Sequence, residues 1–339
     1  MKIALEKNDT EILKGIAILL LLFHHLFSGG EGFWDFTLHG HSVIKNLGVF
    51  SKLCVALFVF LSGYGLTAKA IKSGGIGCLA KFYRQRFVKL MINYWLIWFI
   101  FVPIGIFFFD RSFVSVYGEN YLLPAFSDFI GIHMAVTGSP YGYNATWWFY
   151  SCIIALYLLY PIIWKNCRLW YLIIPFAFIF PAIVSYIPFL GNSYCGNYFL
   201  AFTIGISLAY LKPEINIKGL LPILIILFIL SIFCLSRFNS EKTEWWDAAI
   251  ITYGVVLYQV ISFPTFIKRI LSFLGNHSYN IFLFHTFIYD YYFHNFVYYT
   301  RNPLIIYITL LVTCILVSMT IQKIKIILRI NELEKFLSN

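Results

Sequence analysis

Charge is what this sequence has least of. Only 12% of its 339 residues are Asp, Glu, Lys or Arg and 60% are hydrophobic, a balance that excludes an ordinary soluble globular domain. Acids are scarcer than bases, 15 against 25, and the net charge of +10 would point to nucleic acid in a soluble chain. In so apolar a chain it is a topology signal, and no nucleic-acid partner is expected. The seven cysteines (Cys54, Cys78, Cys152, Cys167, Cys195, Cys234 and Cys314) form no C-x-x-C pair and lie mostly in or beside apolar runs. They read as core filler, with neither a disulfide framework nor a metal site. A P-loop, a G-x-G-x-x-G helix start, internal repeats and low-complexity tracts are all lacking.

What the sequence has in abundance is long apolar runs. Segments able to cross about 30 Å of hydrocarbon fall at 11–28, 47–68, 90–109, 147–164, 169–188, 196–211, 219–236, 247–266, 277–295 and 303–322. The expected fold is all-α, a polytopic membrane bundle of about ten transmembrane helices. Residues 1–322 form one membrane domain and 323–339 a basic amphipathic tail on the inner surface. Gly15 to Phe27 also has the shape of a cleaved signal, but apolar spans fill the rest of the chain and no A-x-A site follows.

Ten crossings put both termini on one side. With that side cytoplasmic, only Lys45, Lys52, Arg111, Arg237, Lys242 and Arg301 fall outside; the other basic residues, among them Lys69, Lys72, Lys81, Arg84, Arg86, Lys89 and Lys218, fall inside. That asymmetry favours cytoplasmic termini.

The first span, EILKGIAILLLLFHHLFS, carries Lys14 at its entry and His24 and His25 near its exit. At about 100° per residue, the step from Lys14 to His25 returns within roughly 20° of its starting direction, whereas His24 lies about 80° away. One face therefore carries a cation and, roughly 16 Å along the axis, an imidazole. An intramembrane ionisable group is a functional-site hypothesis. The alternative is a snorkelling lysine and a histidine bonded to a neighbouring helix.

Three other stretches raise the same choice. The second span holds Ser62, Gly63 and Gly65, small residues that let backbones approach. FYRQRFVKL follows, with Arg84, Arg86 and Lys89 either anchoring the inner surface or holding phosphates. The ninth span, SYNIFLFHTFIYDYY, places His285 near mid-membrane with Ser278 and Tyr289 on nearly the same face, as a chemical or a structural histidine. The outer segment from Asp110 to Thr146 is long enough to cover a site. Trp147 and Trp148 follow it, as interfacial belt or as a stacking surface for sugar.

Taken in order, Lys-Gly-Ile-Ala with a histidine eleven residues after the lysine, VALFVFLSGYGLT, FYRQRFVKL, WWFYSCIIALYLLYP and LGNHSYNIFLFH resemble the membrane-bound acyltransferase-3 family over roughly residues 10 to 320. The resemblance implies that His25 and Lys14 are catalytic and that Arg86 and Lys89, with Arg84 nearby, hold the donor. It implies acyl transfer, with acetyl expected, from cytoplasmic acyl-CoA to a hydroxyl of a cell-envelope carbohydrate, in a bacterial cytoplasmic membrane. No metal is called for. Two departures stand out: Lys14 and Lys89 replace the arginines common in the pattern, keeping charge without the planar fork, and Ala56 stands where many members have aspartate.

On this reading His25 is the general base, with Ser278, Tyr289, His285, Trp147 and Trp148 in support. The rival is a flippase or transporter of a lipid-linked glycan, which the outer aromatics and basic inner mouth also suit. The confident spans contain no deep acidic residue as an obvious proton relay and no inverted repeat is visible, and both count against it. A non-catalytic membrane scaffold would leave the shared face of Lys14 and His25 without a purpose. The orientation is checked by thiol labelling: cysteines introduced between Asp110 and Thr146 should react from outside intact cells, and reaction only after permeabilisation would reverse the topology.

Overall fold

The structure is a computed structural model that describes residues 3–38, 40–214, 220–238 and 243–338. Lys218, Lys242, the first residue of the expected seventh span and the last residue of the tail lie outside the described residues. Hydrocarbon offers no partner for backbone N–H and C=O groups, so the apolar runs become helices. These are α1 (Lys7–Phe27), α2 (Val43–Lys72), α3 (Leu79–Phe108), α4 (Ala145–Lys165) and α5 (Cys167–Val184). There follow α6 (Cys195–Leu211), α7 (Leu220–Phe238), α8 (Glu244–Val260), α9 (Thr265–Thr286), α10 (Pro303–Ile327) and α11 (Ile330–Ser338). The protein is 81% helical, and a small outer hairpin pairs Thr37–Leu38 with His41–Ser42.

Among the described residues, 7 helices (α1 to α5, α7 and α10) are long and apolar enough to cross a membrane. The expected count of about ten is not confirmed. Of the other three runs, α6 and α8 are 17 residues each. The third, α9, interrupts its apolar residues with Lys268, Arg269, Asn276, His277, Asn280 and His285. These three are sheltered by protein: α6 packs against α2, α5 and α8, and α9 lies along α1. Two boundaries also move. FYRQRFVKL is the start of α3, so its cations hold fixed helical spacing, and 323–327 belong to α10, leaving α11 as a separate short helix packed on α3.

The tightest packing is made by glycine. A Cβ at Gly15 would overlap the Leu271 carbonyl and one at Gly275 the Glu11 carbonyl, so α1 and α9 touch backbone to backbone near their inner ends. Both helices run the same way, and ten residues beyond this crossing His25 meets His285, ring centroids 4.9 Å apart. A second glycine contact joins α2 to α6, with Gly63 on the Phe202 carbonyl and Gly205 on the Phe60 carbonyl. Gly65 differs from both: nothing lies within 4 Å of its missing Cβ.

The outer segment between α3 and α4 is packed down by a buried carboxylate. Asp128 accepts from the Tyr117 hydroxyl at 2.5 Å and the Tyr143 N–H at 2.7 Å, while the Tyr94 hydroxyl donates to its backbone oxygen at 2.5 Å. Burial raises the Asp128 carboxyl above its ordinary range, and these hydrogen bonds oppose the shift. Arg111 lies over Tyr291, 3.8 Å from the ring centroid, and donates to the Tyr143 carbonyl at 2.8 Å.

The glycine crossing is the fold's most demanding contact. Gly275→Val should lower stability by about 1–3 kcal/mol through overpacking, while Gly65→Ala should leave it nearly unchanged. Thermal unfolding of the purified proteins in detergent measures both. Equal midpoints for Gly275→Val and the wild type would show that the two backbones are not in contact.

Candidate active site

A cavity of about 500 Å³ runs between α1, α2, α3, α4 and α9, within the range of small-molecule sites. At its inner end are Lys14, Lys69, Arg86 and Lys89, with Glu11 the single carboxylate in its lining. Among the described residues none of the four cations is in an ion pair, and Glu11 is engaged by Lys7 at 3.7 Å. The Arg86 guanidinium lies 5.5 Å from the Phe82 ring centroid, and its Nε is buried without a hydrogen-bond partner. Four unpaired cations held together repel one another, and a bound polyanion relieves that repulsion.

Beyond the cations the wall turns apolar, with Leu21, Val55, Phe58, Ile153 and Phe282, interrupted by hydroxyls in pairs. Ser62 and Tyr157 are 2.6 Å apart; Tyr150 and Tyr279 are also 2.6 Å apart, and the Tyr279 hydroxyl donates to the Leu90 carbonyl at 2.9 Å. The cavity reaches His25 at its far end, beside Thr146 and Trp148. By helical rise, His25 stands roughly 16 Å along α1 from Lys14. A ligand in this space has its anionic end and its far end at different membrane depths, with an imidazole at the second.

The two histidines of α1 part as the helical count requires. The His24 Nδ1 donates to the Gly48 carbonyl at 2.9 Å and so is spent on α2. His25 faces the cavity with His285 behind it. A family model described as an acyltransferase domain matches residues 8–323, nearly the whole chain. The chain belongs to the acyltransferase-3 family. No curated protein and no solved structure matches it.

In this membrane acyltransferase the cavity gathers Lys14, His25, Arg86, Lys89, Ser278 and Trp148 from separate parts of the sequence. It does not gather Arg84, which is exposed on the other side of α3 because two residues of helix turn it about 160° from Arg86. Trp147 is buried outside the cavity, its indole N–H donating to the Leu283 carbonyl at 2.9 Å. His285 and Tyr289 stand behind the lining, Tyr289 in the π turn Phe287–Tyr292 that ends α9, with its ring 6.1 Å from that of His25. Ser278 lines the wall while donating to the Gly275 carbonyl at 2.7 Å. Of the expected covering loop, only Thr146, its last residue, lines the cavity.

Lys69, Glu11, Asn93, Asn276, Tyr150 and Tyr157 complete the wall and were not singled out as site residues. One signal for Lys69 was available: it lies seven residues after Ser62, two helical turns along the same face. The tyrosines gave none, in a chain with 24 of them. The adjacent tryptophans should separate cleanly. Trp147→Phe loses its bond to Leu283 and should cost about 1–2 kcal/mol in thermal stability beyond the packing lost, whereas Trp148→Phe loses only packing against Tyr194 and Tyr198 and should cost less. A larger loss for Trp148→Phe would exchange their assignments.

Proposed function

We propose that the protein moves an acyl group, acetyl in the first instance, from cytoplasmic acyl-CoA to a hydroxyl of a carbohydrate of the cell envelope, in a bacterial cytoplasmic membrane. The observation that carries this reading is that one cavity holds four cations, none in an ion pair among the described residues, at its inner end and His25 at the other. Phosphates of the donor lie among Lys14, Lys69, Arg86 and Lys89. Point-charge contacts from the lysines and the guanidinium of Arg86 share the binding. The thioester arm extends along the apolar wall, where Ser62 and Tyr157 offer hydroxyls to its amides.

The acceptor hydroxyl approaches His25 beside Thr146 and Trp148. An imidazole with an intrinsic pKa near 6.5 serves as base and then as acid close to neutral pH. The hydroxyl proton passes to His25 as the oxygen attacks the thioester carbonyl. The new C–O bond forms, the C–S bond breaks, and the proton passes on to the departing sulfur. The products are an ester and the free thiol of CoA, with no oxidant or metal required.

Inverted membrane vesicles supplied with acetyl-labelled acetyl-CoA test the reading through label in the envelope fraction. His25→Gln should lower transfer about 10²- to 10⁴-fold at matched abundance, and His24→Gln far less. Normal transfer in His25→Gln would remove His25 from the chemistry. Arg86→Ala should raise the apparent KM for acetyl-CoA about tenfold, the scale of a hydrogen bond to a charged group. An unchanged KM in that variant would leave the cation cluster a topology signal. Glycan movement across the membrane with no label incorporated would favour the flippase.

A further inference from the structure

His285 is fully buried, yet one of its nitrogens is committed and the other is not. The Nδ1 lies 3.0 Å from the carbonyl oxygens of Ile281 and Phe282, one helical turn back on α9. Carbonyls only accept, so Nδ1 carries the hydrogen and donates, and Nε2 is left with a lone pair. That Nε2 is buried with no hydrogen-bond partner. Among the described residues, the rings with a hydrogen to offer that lie against it are His25, centroids 4.9 Å apart, and Tyr289, centroids 6.0 Å apart and stacked at 21°. His25 is the nearer of the two rings and, unlike Tyr289, lines the cavity.

We infer that His285 is a positioning residue for the transfer step, a fixed acceptor for the His25 N–H on the side away from the cavity, in a hydrogen bond that strengthens once the other nitrogen of His25 has taken the proton of the acceptor hydroxyl. The inference rests on the proposed role of His25 as base. In the resting state His25 is neutral and needs one hydrogen; on accepting a proton it has an N–H at each nitrogen. One serves the departing sulfur and the other points to His285 Nε2. The contact is thus strongest in the charged intermediate and near the transition state, and it acts on turnover and not on donor binding. The backbone carbonyls fix the tautomer, and the glycine crossing of α1 on α9 fixes the separation. His285 is outside the cavity lining, so it touches neither donor nor acceptor.

The test compares His285→Met, which keeps much of the volume and leaves only a weak thioether acceptor, with His285→Gln, whose amide oxygen reaches close to the place of Nε2. Both are assayed with labelled acetyl-CoA in inverted vesicles at matched protein abundance, varying acetyl-CoA to separate kcat from KM. His285→Met should lose about 10- to 100-fold in kcat with the KM for acetyl-CoA unchanged, the scale of a hydrogen bond to a charged group. His285→Gln should recover most of that loss. Equal losses in both variants would make the residue one of packing, and normal kcat in both would show that His25 works without it; either result overturns the inference. If the wild type transfers no label while His25→Gln is equally inert, the reading of the activity falls first and this inference with it.

Discussion

Backbone contact between α1 and α9 at Gly15 and Gly275 is the constraint on which the site depends. In hydrocarbon there is no hydrophobic force to push two helices together, so close packing of small residues does that work. Once the inner ends touch, the parallel course of the helices decides what meets farther out. Lys14 beside the crossing faces the inner mouth, and His25 ten residues beyond it stands against His285. A larger residue at either glycine would part the helices along their length and change the relation of His25 to His285.

The other helices finish what that pair begins. The glycine contact of α2 on α6 places Ser62 and Lys69 on one wall, and the early start of α3 carries Arg86 and Lys89 to the inner mouth at fixed spacing. The start of α4 is fastened to α9: the amide of Asn144, the residue before it, and the Trp147 indole both donate to the Leu283 carbonyl, at 3.3 and 2.9 Å. Beyond them Asp128 ties the outer segment to α3 through Tyr94. The cavity is therefore rigid where chemistry would occur, which suits a site that must hold a base in one geometry.

The sequence made helices, their rough extents and the shared face of Lys14 and His25 legible, because hydropathy and helical period are local properties. It separated His24 from His25 correctly for the same reason. Partner helices were not legible: nothing local says that Gly275 meets Glu11, or that His285 stands behind His25 and not in the wall. Arg84 was grouped with Arg86 by charge alone, although the helical count available for α1 would have turned them apart on α3. The expected count of about ten is not confirmed for a related reason, since short or polar helices sheltered by neighbours need not have the length and hydropathy that lipid-facing helices do.

One cavity joins the inner cations to His25, and on the proposed reading a donor anchored at the first presents its acyl end to the second. Bromoacetyl-CoA tests this directly, because its electrophilic carbon sits at the acyl end and alkylates a nearby imidazole. Peptide mapping of the treated protein should find the adduct on His25, suppressed by excess CoA and reduced in Arg86→Ala. Alkylation confined to inner-surface groups such as the exposed Cys78, with His25 unmodified, would contradict the account.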